Sequence, residues 1–169
     1  MQGPSVGKLR KGDFKGFEWA TINHAYLVES LVERIDIYYC VCSTRRKQNA
    51  RWISEFKGRK ILEHEEGFDY RFNSMINLLN ILLSEGRKVI IFGADGKAVD
   101  GQTYYKQDDF HIDQAFERIE KKERAILKDT NNINKFYKYE GQVYNCCPDS
   151  AIEVFPKISY EQALEMSLS

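Results

Sequence analysis

The chain has 169 residues, enough for one domain with a real core. Lysine plus arginine and aspartate plus glutamate each number 25, so the formal net charge is zero and bulk electrostatics gives no argument for a nucleic-acid partner. Hydrophobic content of 43% is that of a globular protein, no apolar run approaches the ~18 to 20 residues of a membrane helix, and the N-terminus carries no apolar signal segment, which together predict a cytoplasmic protein.

In chain order, Gly3-Pro4-Ser5 reads as a backbone turn feeding a short helix, whose N–H groups can hold a phosphate. Phe17 to Ile22 alternates and predicts a strand. Asn23 is placed as the N-cap of a helix running to about Glu33, with His24 on its exposed first turn. Arg34 to Cys42 is a buried strand, and Ser43 and Thr44 cap a helix that reaches about Phe56. Arg59 to Leu62 is a short third strand. Glu63-His64-Glu65-Glu66 has metal-ligand residue types, but consecutive loop residues do not converge on one ion.

The most informative stretch follows. Apolar residues at 72, 75, 76, 79, 82 and 83 have helical spacing, and Glu85-Gly86-Arg87 is a helix stop. Lys88 to Phe92 is a continuous apolar run, the pattern of a strand covered on both faces. Gly93-Ala94-Asp95-Gly96 leaves that strand at its carboxyl end, where parallel α/β sheets bind ligands. His111 to Lys128 reads as a helix that Asp129 to Lys138 continues as a polar segment. Gly141 to Cys146 is a last strand, Cys147-Pro148-Asp149-Ser150 turns sharply, and Ser159 caps a final helix. The cysteines, Cys40-Val41-Cys42 and Cys146-Cys147, lack zinc-site spacing and read as reduced, buried, strand-borne thiols. The alternation predicts one α/β domain over residues 1–169, with a mostly parallel sheet and helices on both faces.

Gly3-Pro4-Ser5, Ala20-Thr21-Ile22-Asn23, Ile90-Ile91-Phe92-Gly93-Ala94-Asp95, His111 and Val143-Tyr144-Asn145-Cys146-Cys147-Pro148-Asp149-Ser150 with Phe155-Pro156 occur in this order. Together they resemble the bacterial CMP-sialic-acid-dependent sialyltransferases of the Campylobacter lipooligosaccharide type. They equally resemble the related superfamily of archaeal-type 6-hydroxymethylpterin diphosphokinase-like (MptE-like) domains. The resemblance implies a Rossmann-like domain and a transferase that uses a nucleotide-activated sugar of the CMP-sugar type as donor substrate. A glycan or small-molecule hydroxyl would be the acceptor, with no tightly bound cofactor and no metal.

Residue by residue, the resemblance implies that Gly3 and Ser5 lie against the nucleotide phosphate and that Asn23 contacts the nucleotide or its sugar. Asp95, after Gly93, is a nucleotide or substrate contact. Tyr104 and Tyr105 stabilise the leaving phosphate, and His111 is the general base. Cys147, Pro148 and Ser150 close the site. Under the diphosphokinase alternative, ATP and Mg²⁺ replace the CMP-sugar, with Asp95, Asp100, Asp108 and Asp109 near the metal. A third alternative is a non-catalytic nucleotide-binding or structural remnant of the same fold.

Three departures shape the expectations. The family places a hydrophobic strand immediately before the Gly-Pro-Ser turn, and none stands here, which predicts unpaired backbone, an open core and an invitation to form a homo-oligomer. The turn opening the central helix is Tyr70-Arg71-Phe72-Asn73-Ser74, so Asn73 and Ser74 stand where the family has small donor-contacting residues. Cys42-Ser43 stands where an aspartate often follows the second strand.

Overall fold

A computed structural model describes residues 4–25, 28–64, 73–98, 119–137 and 142–167 of the chain. Its strands are β1 (Ala20–Ile22), β2 (Ile37–Tyr39), β3 (Arg59–Ile61), β4 (Val89–Ile91) and β5 (Val143–Asn145). Its helices are α1 (Ser43–Gln48), α2 (Ala50–Glu55), α3 (Ser74–Ser84), α4 (Ile119–Phe136) and α5 (Tyr160–Ser167), with 3-10 turns at Pro4–Lys8 and Glu29–Leu31.

The chain is α/β and the strand pairs are parallel, but the strands form two small sheets instead of one. The first has the order β1-β2-β3 and the second is β4-β5. Among the described residues no strand lies between β1 and β4, so each is the edge of its sheet.

Helices cover both faces of the first sheet. Ile37 and Tyr39 of β2 pack into the cluster that holds α3, while Tyr38 packs on the other side with Trp52 and Phe56. Strand alternation produces this division. The second sheet divides likewise: Val89 and Ile91 face α3, whereas Ile90 and Phe92 face Ala163 of α5 and the turn carrying Val6.

α3 is the shared support of the two sheets, since it packs on both β1 and β4. Asn73 caps it, its Oδ1 accepting from the N–H groups of Met75 and Ile76 at 3.1 and 3.2 Å. At the other end Gly86 takes φ 74°, and the N–H groups of Gly86 and Arg87 bond to the carbonyls of Leu83 and Leu82. That pair of bonds is a Schellman stop, and it needs a residue that tolerates the left-handed region. The buried stripe is wider than the sequence spacing suggests, because Leu78 and Ile81 are buried as well. A helix that lies over two sheets has few positions left for solvent. Each such side chain contributes ~1.5 to 3 kcal/mol on burial, before conformational entropy is subtracted.

Several local expectations fail for identifiable reasons. The strand expected from Phe17 starts at Ala20, because Phe17 and Trp19 turn into an aromatic cluster around Phe14. No N-cap forms at Asn23, which takes φ 55°, and the described residues up to Leu31 carry a 3-10 turn where an α-helix was expected. His24 is accordingly buried at 6% exposure, not on a surface turn. The helix expected from Ser43 to Phe56 breaks at Asn49. That side chain is 4% exposed and donates to the Asn23 carbonyl at 2.7 Å and to the Tyr38 hydroxyl at 3.1 Å. All four cysteines are free, but none lies within a strand: Cys40 and Cys147 are buried just past β2 and β5, Cys146 is half-buried, and Cys42 is exposed at the start of α1.

Candidate functional site

The site is built at the carboxyl ends of β4 and β5. Gly93 takes φ 71° as the chain leaves β4 and turns it into Ala94 and Asp95. Asp95 is 3% exposed, so its carboxylate needs partners from the protein. Ser5 supplies two: its N–H and its hydroxyl both donate to Oδ2, at 3.1 and 2.9 Å. The Cys147 thiol supplies a third, with Sγ 3.1 Å from Oδ1. One side chain thus ties the Pro4–Lys8 turn, the end of β4 and the turn after β5 into one unit.

Ser150 completes the unit from below. Its hydroxyl donates to the Ala94 carbonyl at 2.5 Å and accepts the Ile152 N–H at 3.0 Å. Its carbonyl accepts from Lys157 Nζ at 2.7 Å, and the Ala151 N–H donates to the Asp95 carbonyl at 2.8 Å. Gly96 follows with φ 68°, where a Cβ would stand 2.8 Å from Ile152 Cγ1 and 3.0 Å from Thr130 Oγ1. Only a residue without a side chain fits this crossing of the loop with α4.

The electrostatics oppose nucleophilic work by the cysteines. Burial, with the Asp95 carboxylate adding to it, pushes the Cys147 thiol up to about 11. Burial likewise pushes Cys146 up to about 11. Both stay protonated near neutral pH, and Cys147 acts as a donor. The exposed Lys8, at the end of the Ser5 turn, is the cation that counters this shift at both thiols.

Of the residues expected at the site, Ser5, Gly93, Asp95, Cys147 and Ser150 come together, and Pro148 stands exposed on the same turn. Asn73 and Ser74 lie at the start of α3, and Asn23 lies past β1. Among the described residues no hydrogen bond links these three to the Asp95 cluster. Gly3, Tyr104, Tyr105, Asp100, Asp108, Asp109 and His111 lie outside the described residues. Among the described residues, no three His, Cys, Asp or Glu side chains group as a metal site.

No family model, no curated protein and no solved structure matches this chain.

Sequence reasoning missed three contributors. Asn145 is fully buried, with Nδ2 3.4 Å from the Ala94 carbonyl and Oδ1 without a partner among the described residues. Thr130 donates to the Gly96 carbonyl at 2.8 Å. Asn134 donates to the Ala151 carbonyl and accepts the Glu153 N–H, both at 2.8 Å. Thr130, Ile133, Asn134 and Tyr137 recur at spacings of three and four within the segment read as polar, and that periodicity was the available signal.

No helix among the described residues is long and apolar enough to cross a membrane.

Proposed function

We propose that the carboxyl edge of β4 and β5 binds a nucleotide-activated donor, and that the chain transfers the activated group to an acceptor hydroxyl in the cytoplasm. The donor is best read as a CMP-sugar and the acceptor as a glycan or small molecule. The observation that carries this reading is convergence. Ser5, Asp95, Cys147 and Ser150 come from three distant parts of the sequence and meet at the edge where parallel α/β sheets take ligands. In this reading the two sheets are halves of one Rossmann-like domain.

Asp95 is then a positioning residue, because its oxygens are occupied by Ser5 and Cys147. It fixes the Ser5 turn, whose exposed Lys8 suits a nucleotide phosphate. The reacting groups belong to the segment between Ala98 and Ile119, which joins the Asp95 loop to α4 in sequence. His111 takes the acceptor proton as the acceptor oxygen bonds to the anomeric carbon and CMP departs. Tyr104 and Tyr105 stabilise the leaving phosphate.

The test is CMP release from CMP-sugars. His111→Ala should cost at least ~100-fold in turnover with CMP binding intact; unchanged turnover removes His111 from the mechanism. Turnover of ATP that requires Mg²⁺ would instead favour the diphosphokinase alternative.

One observation favours a second reading, a structural remnant of the fold. Asp95 is buried and both its oxygens are committed within the protein, as in a site that serves the fold alone. A chain that melts cooperatively and binds no nucleotide would support it.

A further inference from the structure

The two sheets meet edge to edge across a slot. A cavity of about 390 Å³ separates β1 from β4. Its side walls are the two strands themselves. Leu78, Leu79 and Leu82 of α3 close one face, and Val6, Phe14 and Val28 close the other.

Backbone polarity defines what this slot recognises. The Val89 N–H donates to the Gln142 carbonyl, and the Cys146 N–H donates to the Ile91 carbonyl. Val89 and Ile91 therefore direct their backbone groups toward β5, and alternation turns those of Ile90 into the slot. The Ile37 N–H donates to the Trp19 carbonyl, and the Asn23 N–H donates to the Tyr39 carbonyl. Trp19 and Asn23 thus face β2, and the backbone of Ala20 faces the slot. Both strands also start from the same side, because Glu18 and Arg87, which lead into β1 and β4, form an ion pair at the slot's amino end.

We infer that the slot is the seat of one extended apolar peptide strand, about five residues long, lying parallel to β1 and β4 and joining the two sheets into one. A strand inside a parallel sheet is apolar on both faces and bonds on both edges, and this slot offers two apolar faces and two strand edges. A lipid or other apolar small molecule matches the faces but gives the edges no hydrogen bonds.

The segments outside the described residues (1–3, 26–27, 65–72, 99–118, 138–141 and 168–169) contain no run of four apolar residues, the pattern such a strand needs. The polarity of that strand follows from the position of the Pro4–Lys8 turn. Ser5 is bound to Asp95, just past the carboxyl end of β4. A strand leading into the Pro4–Lys8 turn would therefore run with the polarity of β1 and β4 and need no crossover. The occupant is an apolar strand joined on the amino side of that turn.

The experiment joins five alternating valine and isoleucine residues, through one glycine, ahead of Met1. The control carries proline at alternate positions of the added strand, which removes its N–H donors. Amide hydrogen exchange is read at Ala20 and Ile90 in both fusions and in the 169-residue chain. The expected result is exchange at least 100-fold slower at both positions with the plain strand, and no slowing with the proline strand. Equal exchange in all three proteins, or equal slowing by both strands, would overturn the inference. Slowing confined to concentrations at which the fusion dimerises would overturn delivery within one chain. The same two sequences as free peptides, titrated into the 169-residue chain, give a readout that does not depend on the fusion folding. The plain peptide should slow exchange at Ala20 and Ile90 and the proline peptide should not; no slowing by either counts against the slot.

Discussion

Removing the Asp95 carboxylate should destabilise the fold more than a typical surface change, because that one group holds three segments together. It accepts from the Ser5 N–H, the Ser5 hydroxyl and the Cys147 thiol at 3.1, 2.9 and 3.1 Å. A hydrogen bond to a charged group contributes ~1.5 to 3 kcal/mol, and the thiol bond is weaker. Three such bonds give roughly 4 to 7 kcal/mol gross. Asp95→Ala also removes the cost of burying a carboxylate, several kcal/mol in a folded protein, which offsets about half of the loss. The net expectation is ~2 to 3 kcal/mol of destabilisation, a large share of the ~5 to 15 kcal/mol that holds a domain folded. For a chain of this size that lowers Tm by roughly 4 to 12 °C. The assay is urea denaturation at pH 7 of the wild type, Asp95→Ala, Ser5→Ala and the double variant. Ser5→Ala removes one of the three donors, so the cycle should show a coupling of ~1 to 2 kcal/mol. Loss below ~0.5 kcal/mol in Asp95→Ala, or additive effects in the double variant, would refute the tie.

Other outcomes follow from the same geometry. The Cys146 and Cys147 thiols are raised from 9.0 to about 11 in the fold, so the unfolded chain ionises first as pH rises. The stability they contribute is intact below pH 9 and lost between pH 9 and 11, roughly 2 kcal/mol for Cys147. Cys147→Ala should flatten that fall in an alkaline melting series, and an unchanged slope would contradict the assignment. Gly96→Ala should cost ~2 to 4 kcal/mol by thermal melting, because the new Cβ meets Ile152 and Thr130 at a left-handed position; a neutral effect would show that α4 yields at this crossing. Ser159→Ala should cost ~1 kcal/mol. It removes one arm of a capping box in which the Gln162 N–H donates to Ser159 Oγ at 3.2 Å and the Ser159 N–H donates to Gln162 Oε1 at 2.8 Å. Wild-type stability in that variant would mean that α5 is held by Ala163 packing alone.

What was legible in the sequence was whatever depends on near neighbours. The apolar spacing of α3, its Gly86 stop and the Ser159 cap are local, and they form where the residues place them. The apolar run from Lys88 to Phe92 also became β4, packed on both faces. Failures occurred where a distant partner decided the outcome. Nothing near Asn49 marks a helix break; it breaks there because its amide serves the Asn23 carbonyl and the Tyr38 hydroxyl. Asn23 was read as a cap from its type, yet its backbone is held left-handed while its N–H bonds to Tyr39. At the candidate site, the resemblance pointed to Ser5, Asp95, Cys147 and Ser150, and the fold brings these four together. The resemblance did not show that Asp95 would face inward to Ser5 and Cys147, because burial is a property of the assembled edge.

The central claim is that the carboxyl edge of β4 and β5 takes a nucleotide. Its most direct test is a thermal-shift panel of the 169-residue chain with CMP, CDP, UDP, GDP, ADP and ATP, each with and without Mg²⁺. A ligand at 100 times its Kd stabilises by ~2.7 kcal/mol. The account predicts a metal-independent upward shift with CMP that Lys8→Ala diminishes. A cooperative melt that no nucleotide moves would contradict it.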